Sequence, residues 1–286
     1  MDFTNADFSR RKFMKYSAGA VAMSGLMGMI SWSSEEKQTR IPVGLQLYSV
    51  RKESEKDFPK TIKAVAKIGY EGVEFAGYFN HDAKELRKIL DDTGLKCCGT
   101  HTQLADLAPE KFAATMELNQ ILGNKYIIVP WLGEEMRNTE QAWLNTVKLF
   151  NELAEKVKEH GMRLGYHNHT FEFESIGDKM PWDIFAENTN ADIILQLDTG
   201  NLMQAGVEPV SFLKKYPGRT LTIHLKEYSA TNDKAITGEG DMPWKEVLEV
   251  CRTTGGTEWF ILEEEKDVYP PLECVELCYK NFQKLI

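Results

Sequence analysis

From Ile41 onward the chain alternates short apolar runs, rich in β-branched and aromatic residues, with longer stretches in which apolar residues recur at helical spacing. The short runs predict strands at Val43–Leu47, Gly72–Phe75, Lys96–Thr100, Tyr126–Pro130, Arg163–His167, Ile193–Asp198, Thr220–Leu225 and Trp259–Glu263. The stretches between them predict helices over Pro59–Ile68, Ala83–Asp92, Pro109–Leu122, Glu140–His160, Trp182–Asn188, Val210–Tyr216 and Trp244–Thr254, and a last helix over Leu272–Leu285. Gly69, Gly94, Gly123, Gly161 and Gly218 stand just past helices, where glycine supplies the left-handed residue that stops them.

Strands separated by helices imply parallel βαβ units. Eight of them within residues 41–286 fit a closed (β/α)8 TIM barrel of the α/β class, which commonly fills ~250 residues as one domain. An open doubly wound sheet would carry a glycine-rich phosphate turn after its first strand. Leu-Gln-Leu-Tyr-Ser-Val-Arg stands there instead, and no linker divides residues 41–286.

The first 34 residues break this pattern. Arg10, Arg11, Lys12 and Lys15 precede an uncharged stretch, Tyr16 to Ser34, rich in Ala, Gly, Met and Ser. A charged n-region before an apolar h-region is a targeting signal, and the Arg pair followed by Phe13 and Lys15 resembles a twin-arginine export signal. The expectation is a signal peptide at 1–34 and a periplasmic or cell-envelope location. An ordinary Sec signal or an N-terminal membrane anchor is the alternative, and with no clear Ala-x-Ala cleavage site the segment could be retained as an anchor.

The whole chain carries a net charge of −9; without residues 1–34 it has 30 basic and 41 acidic residues, a net of −11. An acidic surface argues against a nucleic-acid partner, because phosphate binding needs a basic face. The five cysteines, Cys97, Cys98, Cys251, Cys274 and Cys278, include no CxxC, and an odd number excludes a complete disulfide framework. They are expected as buried thiols.

Catalytic residues of a barrel lie where its strands end. Here those positions are unusually polar: Gln46, Tyr48, Glu74, His101, His167, His169, Asp198, His224, Lys226, Glu263 and Glu265. A carboxylate at the end of an apolar strand is costly to bury unless it is paired or bound to a cation. Two carboxylates and two histidines on four consecutive strands favour one divalent metal over a set of separate ion pairs. Mixed imidazole and carboxylate donors suit Mn, Co, Zn or Mg. Neither HExxH nor GxSxG is present, so zincin and serine hydrolase readings have no support.

Several segments at these strand ends resemble the xylose isomerase-like barrel family, which includes sugar isomerases, epimerases, inosose dehydratases and endonuclease IV. They are Val-Gly-Leu-Gln-Leu-Tyr-Ser-Val-Arg at 43–51, Gly-Tyr-Glu-Gly-Val-Glu-Phe-Ala-Gly at 69–77, Gly-Tyr-His-Asn-His at 165–169, Leu-Asp-Thr-Gly-Asn at 197–201, Ile-His-Leu-Lys-Glu at 223–227 and Gly-Glu-Gly at 238–240. The resemblance implies a metal held by Glu, Asp, His and Glu from four strands. By position, Asp198, His224 and Glu263 match the last three. His167, with His169 as the alternative, stands where the family has its first glutamate, so the symmetric pair of glutamates that exchanges a proton across the substrate is lost.

The resemblance therefore points to removal of an α-proton followed by elimination, and the expected export, with no phosphate-binding glycine loop, to an unphosphorylated keto-sugar or keto-glycoside as substrate. Glu263 is expected as ligand and base, with His101 or His169 protonating the departing oxygen. Gln46, Tyr48, Glu74, Trp131, Lys226 and Glu239 are expected to bind the substrate, although Glu239 has the alternative of anchoring a loop and Trp131 that of core packing. A sugar isomerase or epimerase, and a non-catalytic carbohydrate-binding barrel, are the competing expectations.

Overall fold

The computed structural model describes residues 40–286, which lie within one compact unit. The expected export signal falls outside them. Among the described residues, no helix is long and apolar enough to cross a membrane.

Eight strands form one parallel sheet: β1 (Val43–Gln46), β2 (Gly72–Phe75), β3 (Lys96–His101), β4 (Tyr126–Val129), β5 (Arg163–His167), β6 (Ile194–Gln196), β7 (Thr222–Leu225) and β8 (Trp259–Leu262). Their order, β6-β5-β4-β3-β2-β1-β8-β7, leaves β6 and β7 at the two ends. These ends meet. Leu195 N–H donates to Arg219 O and His224 N–H to Leu197 O, each at 2.8 Å, and Asp198 bridges His224 in parallel. The sheet is thus a (β/α)8 barrel.

The helices that wrap it are α1 (Arg51–Lys56), α2 (Phe58–Ile68), α3 (Ala83–Thr93), α4 (Pro109–Leu122), α5 (Glu140–Glu159), α6 (Pro181–Asn188), α7 (Thr199–Gln204), α8 (Pro209–Lys215), α9 (Trp244–Val250) and α10 (Pro271–Phe282). The period-2 alternation of each strand divides the core in two. Val43, Leu45, Val73, Phe75, Ile127, Tyr166, Ile223 and Phe260 point outward and join the apolar helix faces in one cluster. Cys98, Tyr126, Ile128, Ile194, Leu221, Trp259 and Ile261 form a second cluster that fills the barrel toward its strand N-termini. The same inward rows end in Gln46, Glu74, His167, Gln196, His224 and Glu263, all buried. The interior is therefore apolar below and polar above.

The expected strands and long helices are present, with informative differences at their ends. Pairing of β6 with β5 stops at Gln196, and Asp198 beyond it caps α7, its Oδ1 accepting from Asn201 N–H at 2.7 Å. The short helices α1 and α7 lack a long amphipathic period and were not legible as helices. The helix expected over Trp244–Thr254 is α-helical only to Val250; Cys251–Gly255 form a π turn that ends at Gly256. All five cysteines are buried free thiols.

Candidate functional site

At the C-terminal end of the barrel, donor atoms of His167, Asp198, His224 and Glu263 all lie within 4.8 Å of one another. They come from β5, the β6–α7 junction, β7 and the residue after β8. His101, at the end of β3, joins His167 and His224 in a second group within the same distance. Its ring is stacked on that of His224, with centroids 5.2 Å apart.

Beneath these side chains lies a network of buried polar groups. Glu74 Oε2 accepts from His224 Nε2 at 2.5 Å and from Gln46 Nε2 at 2.7 Å, and lies 3.2 Å from His101 Nε2. Gln196 donates both amide hydrogens, to Glu74 Oε1 and to Thr222 Oγ1, so its Oε1 is an acceptor. That oxygen is 2.9 Å from His101 Nε2 and 3.0 Å from His167 Nδ1. His167 therefore carries its proton on Nδ1 and keeps the Nε2 lone pair, the tautomer a metal ligand requires. His224 meets Glu263 at 3.0 Å through Nδ1, on the opposite side from Glu74.

The electrostatics separate the two carboxylates of the cluster. Burial raises both, but Lys226 and His224 outweigh it at Glu263 and hold that carboxyl well below its ordinary value. Asp198 has no such bond on Oδ2. Burial pushes it up to about 7 despite Lys226 nearby, and Oδ2 is buried without a hydrogen-bond partner. Burial also lowers His167 well below the usual range and His169 to about 4, so both rings are neutral with lone pairs available. At His224 the two carboxylates on its nitrogens overcome burial and raise it to about 10.

A divalent cation fits this donor set. An unpartnered buried carboxylate oxygen is costly in an apolar interior, and a cation among Asp198, Glu263, His167 and His224 would supply its missing partner. Hard oxygen and imidazole nitrogen donors without thiolate suit a divalent ion rather than a sulfur cluster.

The remaining expected residues fall into distinct places. His169, half-buried, has Nδ1 without a partner and packs edge-on against Trp131, which is 45% exposed beside it. Lys226 Nζ lies 3.9 Å from both Asp198 and Glu263 and 2.9 Å from Glu265. Tyr48 is exposed at the rim, under the guanidinium of Arg51. Gln46 and Glu74 differ from the expectation of direct substrate contact: both are fully buried, with their polar atoms engaged by the network. Glu239 lies outside the cluster, exposed on a loop. Its carboxylate receives the Ile236 amide and the Asn281 side chain, because its loop folds back on α10.

Three buried residues were missed. Gln196 stands two positions before Asp198 and so shares its inward face, a parity visible in the run Leu-Gln-Leu-Asp. Asn168 accepts from Asp198 N–H at 2.8 Å through its side chain, and its backbone carbonyl accepts from Asn201 Nδ2 at 3.1 Å. Glu172 accepts from Tyr166 OH and, at 2.8 Å, from His169 N–H, fixing the β5–α6 loop. Nothing in the local sequence marks Glu172 as buried.

The chain is similar to the inosose dehydratase of Clostridium botulinum, 23% identical over 259 residues covering 77% of this chain and 86% of that one. It is similar to the inosose dehydratase of Bacillus thuringiensis at 24% identity, covering 75% and 84%. Among solved structures, a sugar phosphate isomerase/epimerase from Parabacteroides distasonis superposes with a TM-score of 0.74 at 21% identity, covering 86% of this chain and 98% of that one. The IolI protein, whose structure holds a zinc atom, superposes with a TM-score of 0.68 at 14% identity, covering 86% and 98%. The sequence profile of the xylose isomerase-like TIM barrel matches residues 62–276. The chain belongs to the xylose isomerase-like TIM barrel family.

Proposed function

We propose that this chain is a divalent-metal-dependent lyase or hydratase that removes the proton α to the carbonyl of an unphosphorylated keto-sugar or keto-glycoside and eliminates the β-substituent. One observation carries the reading: the site has a single carboxylate placed to act as base. Asp198 is committed to capping α7 through Oδ1, and Glu74 is sealed beneath His224 and His101. Glu263 remains, buried just past β8 and held ionised by Lys226 and His224 beside it. Inosose dehydratases among the relatives support elimination as the outcome.

A divalent cation held by His167, Asp198, His224 and Glu263 would act as a Lewis acid on the substrate's carbonyl and adjacent hydroxyl oxygens. The chain's own groups do the rest. In a 3-keto-glycoside, Glu263 takes the proton from C2, the electron pair forms the C1–C2 double bond, and the C1–O bond breaks. The departing oxygen takes a proton from His101, since His169 is neutral. Lys226 holds the substrate's hydroxyls from the rim, and Trp131 offers a face to the ring. Export by the Arg10–Arg11 signal belongs to this reading, because sugar phosphates are scarce outside the cytoplasm.

Incubating the metal-loaded enzyme with a 3-keto-glycoside should release the aglycone. The isomerase or epimerase reading is favoured by the unpartnered Nδ1 of His169, a second group able to move a proton. Deuterium entering the α-position with no aglycone released would decide for it.

A further inference from the structure

Beside the metal cluster, on the side of β2 and β3, lies a cavity of about 530 Å³ that the proposed chemistry has not used. Its inner wall is His101, the ring stacked on His224. Tyr48 and residues of α4 also line it. Ala76, Tyr78, Ala114 and Leu118 make much of its lining apolar, while Gln103 and the Asp106–Lys111 ion pair, at 2.8 Å, are among its polar residues. None of the four cluster residues lines it, so it adjoins the reacting centre without being that centre.

We propose that this groove is the subsite for the leaving group, and that the leaving group it takes is a flat apolar aglycone, an aryl or other aromatic alcohol. The proposal rests on the lyase reading and deepens it. Three features together single out this occupant. A volume of this size lies in the range that holds a small-molecule group, and is more than a departing water needs. The lining pairs a phenol ring with aliphatic side chains, which suits an aromatic face rather than a second sugar rich in hydroxyls. The wall shared with the cluster is His101, the group placed to protonate the departing oxygen, so an alcohol released there leaves directly into the groove. This assigns the acid role to His101 and leaves His169 on the Trp131 side, facing the ring.

Ala114 is exposed on α4, and Ala113 beside it does not line the groove, so Ala114→Trp fills the groove and Ala113→Trp is its control. The direct measurement is calorimetric binding of phenyl and methyl β-glucoside, neither oxidised and neither reactive, to the metal-loaded protein. Phenyl should bind about tenfold or more tightly than methyl, from the apolar surface it buries. Ala114→Trp should erase that difference and Ala113→Trp should keep it. Equal affinity for the two glucosides, or a difference untouched by Ala114→Trp, overturns the subsite. The same pair as 3-keto-glycosides separates the two claims. An aryl preference in binding with no aglycone released refutes elimination and keeps the groove. Aglycone release at the same kcat/KM from both keto-glycosides refutes the groove and keeps elimination.

Discussion

Glu74 Oε2 and His224 Nε2 are 2.5 Å apart, and both side chains are completely buried. Burial alone would raise the carboxyl of Glu74, but the imidazoles of His101 and His224, with hydrogen bonds from His224 and Gln196, hold it below its ordinary value. Glu74 thus fixes one nitrogen of His224 and turns the other, Nδ1, toward Glu263 and the cluster. Carboxylates that orient a metal-bound imidazole in this way raise metal affinity. Glu74→Gln should therefore weaken metal binding about 10–100-fold while leaving the ligand set intact. Competition against a chelator of known affinity measures it, and unchanged affinity would show that His224 is oriented by other contacts.

Gly99 creates the room for that carboxylate. The β2–β3 register shifts between Val73 and Glu74, so that Glu74 lies opposite Gly99, and a methyl group on Gly99 would collide with Glu74 Oε1. Gly99→Ala should cost ~1–3 kcal/mol of stability and lower metal affinity in the same direction as Glu74→Gln. Denaturant unfolding and the chelator competition read the two effects. A loss of stability with full affinity would place the strain elsewhere than at Glu74.

The barrel and the four cluster residues were legible because each strand is a short apolar run with a polar residue at its end, a pattern that needs no knowledge of partners. What a residue pairs with is a property of the closed barrel. Glu74 and Gln46 read as ligands for a substrate because their inward position is visible while the layer of histidines above them is not. Gln196 was overlooked because an amide within an apolar run looks like a minor irregularity. Only closure brings it within reach of His101, His167, Glu74 and Thr222 at once. Glu239 and Glu227 show the converse. The glutamate flanked by glycines drew attention, whereas buried Glu227 organises that loop through Gly238 N–H, Met242 N–H and Trp244 Nε1.

Glu172 links stability to pH. Burial, opposed by the bonds from Tyr166 and His169 N–H, raises its carboxyl from 4.5 to about 7. A group whose folded pKa is raised contributes stability that is complete below its unfolded pKa and is lost as pH rises through the folded one. Between pH 4.5 and 7 this group should therefore remove up to ~3 kcal/mol. Glu172→Gln should abolish that part of the slope. Urea unfolding of both proteins across this window, with chelator present throughout, should give curves that diverge as pH rises. Parallel curves would mean that Glu172 is already ionised when folded.

His169 stands outside the ligand set, against Trp131 and Phe171. His169→Ala should retain metal and lower kcat about 10-fold or more, as expected when a group acts in the transition state. Trp131→Ala should raise KM with a smaller effect on kcat, because stacking holds ground and transition states alike. Steady-state kinetics separate the two patterns, and a loss of metal from His169→Ala would move it into the ligand set.

The central claim is that His167, Asp198, His224 and Glu263 form one metal site. Metal per subunit, measured by elemental analysis on purified wild type, Asp198→Ala and His167→Ala, tests it most directly. The account predicts a stoichiometric divalent ion in the wild type and its loss from both variants, each still folded as a barrel by circular dichroism. Full occupancy in Asp198→Ala, or full occupancy in His167→Ala together with loss from His169→Ala, would contradict it.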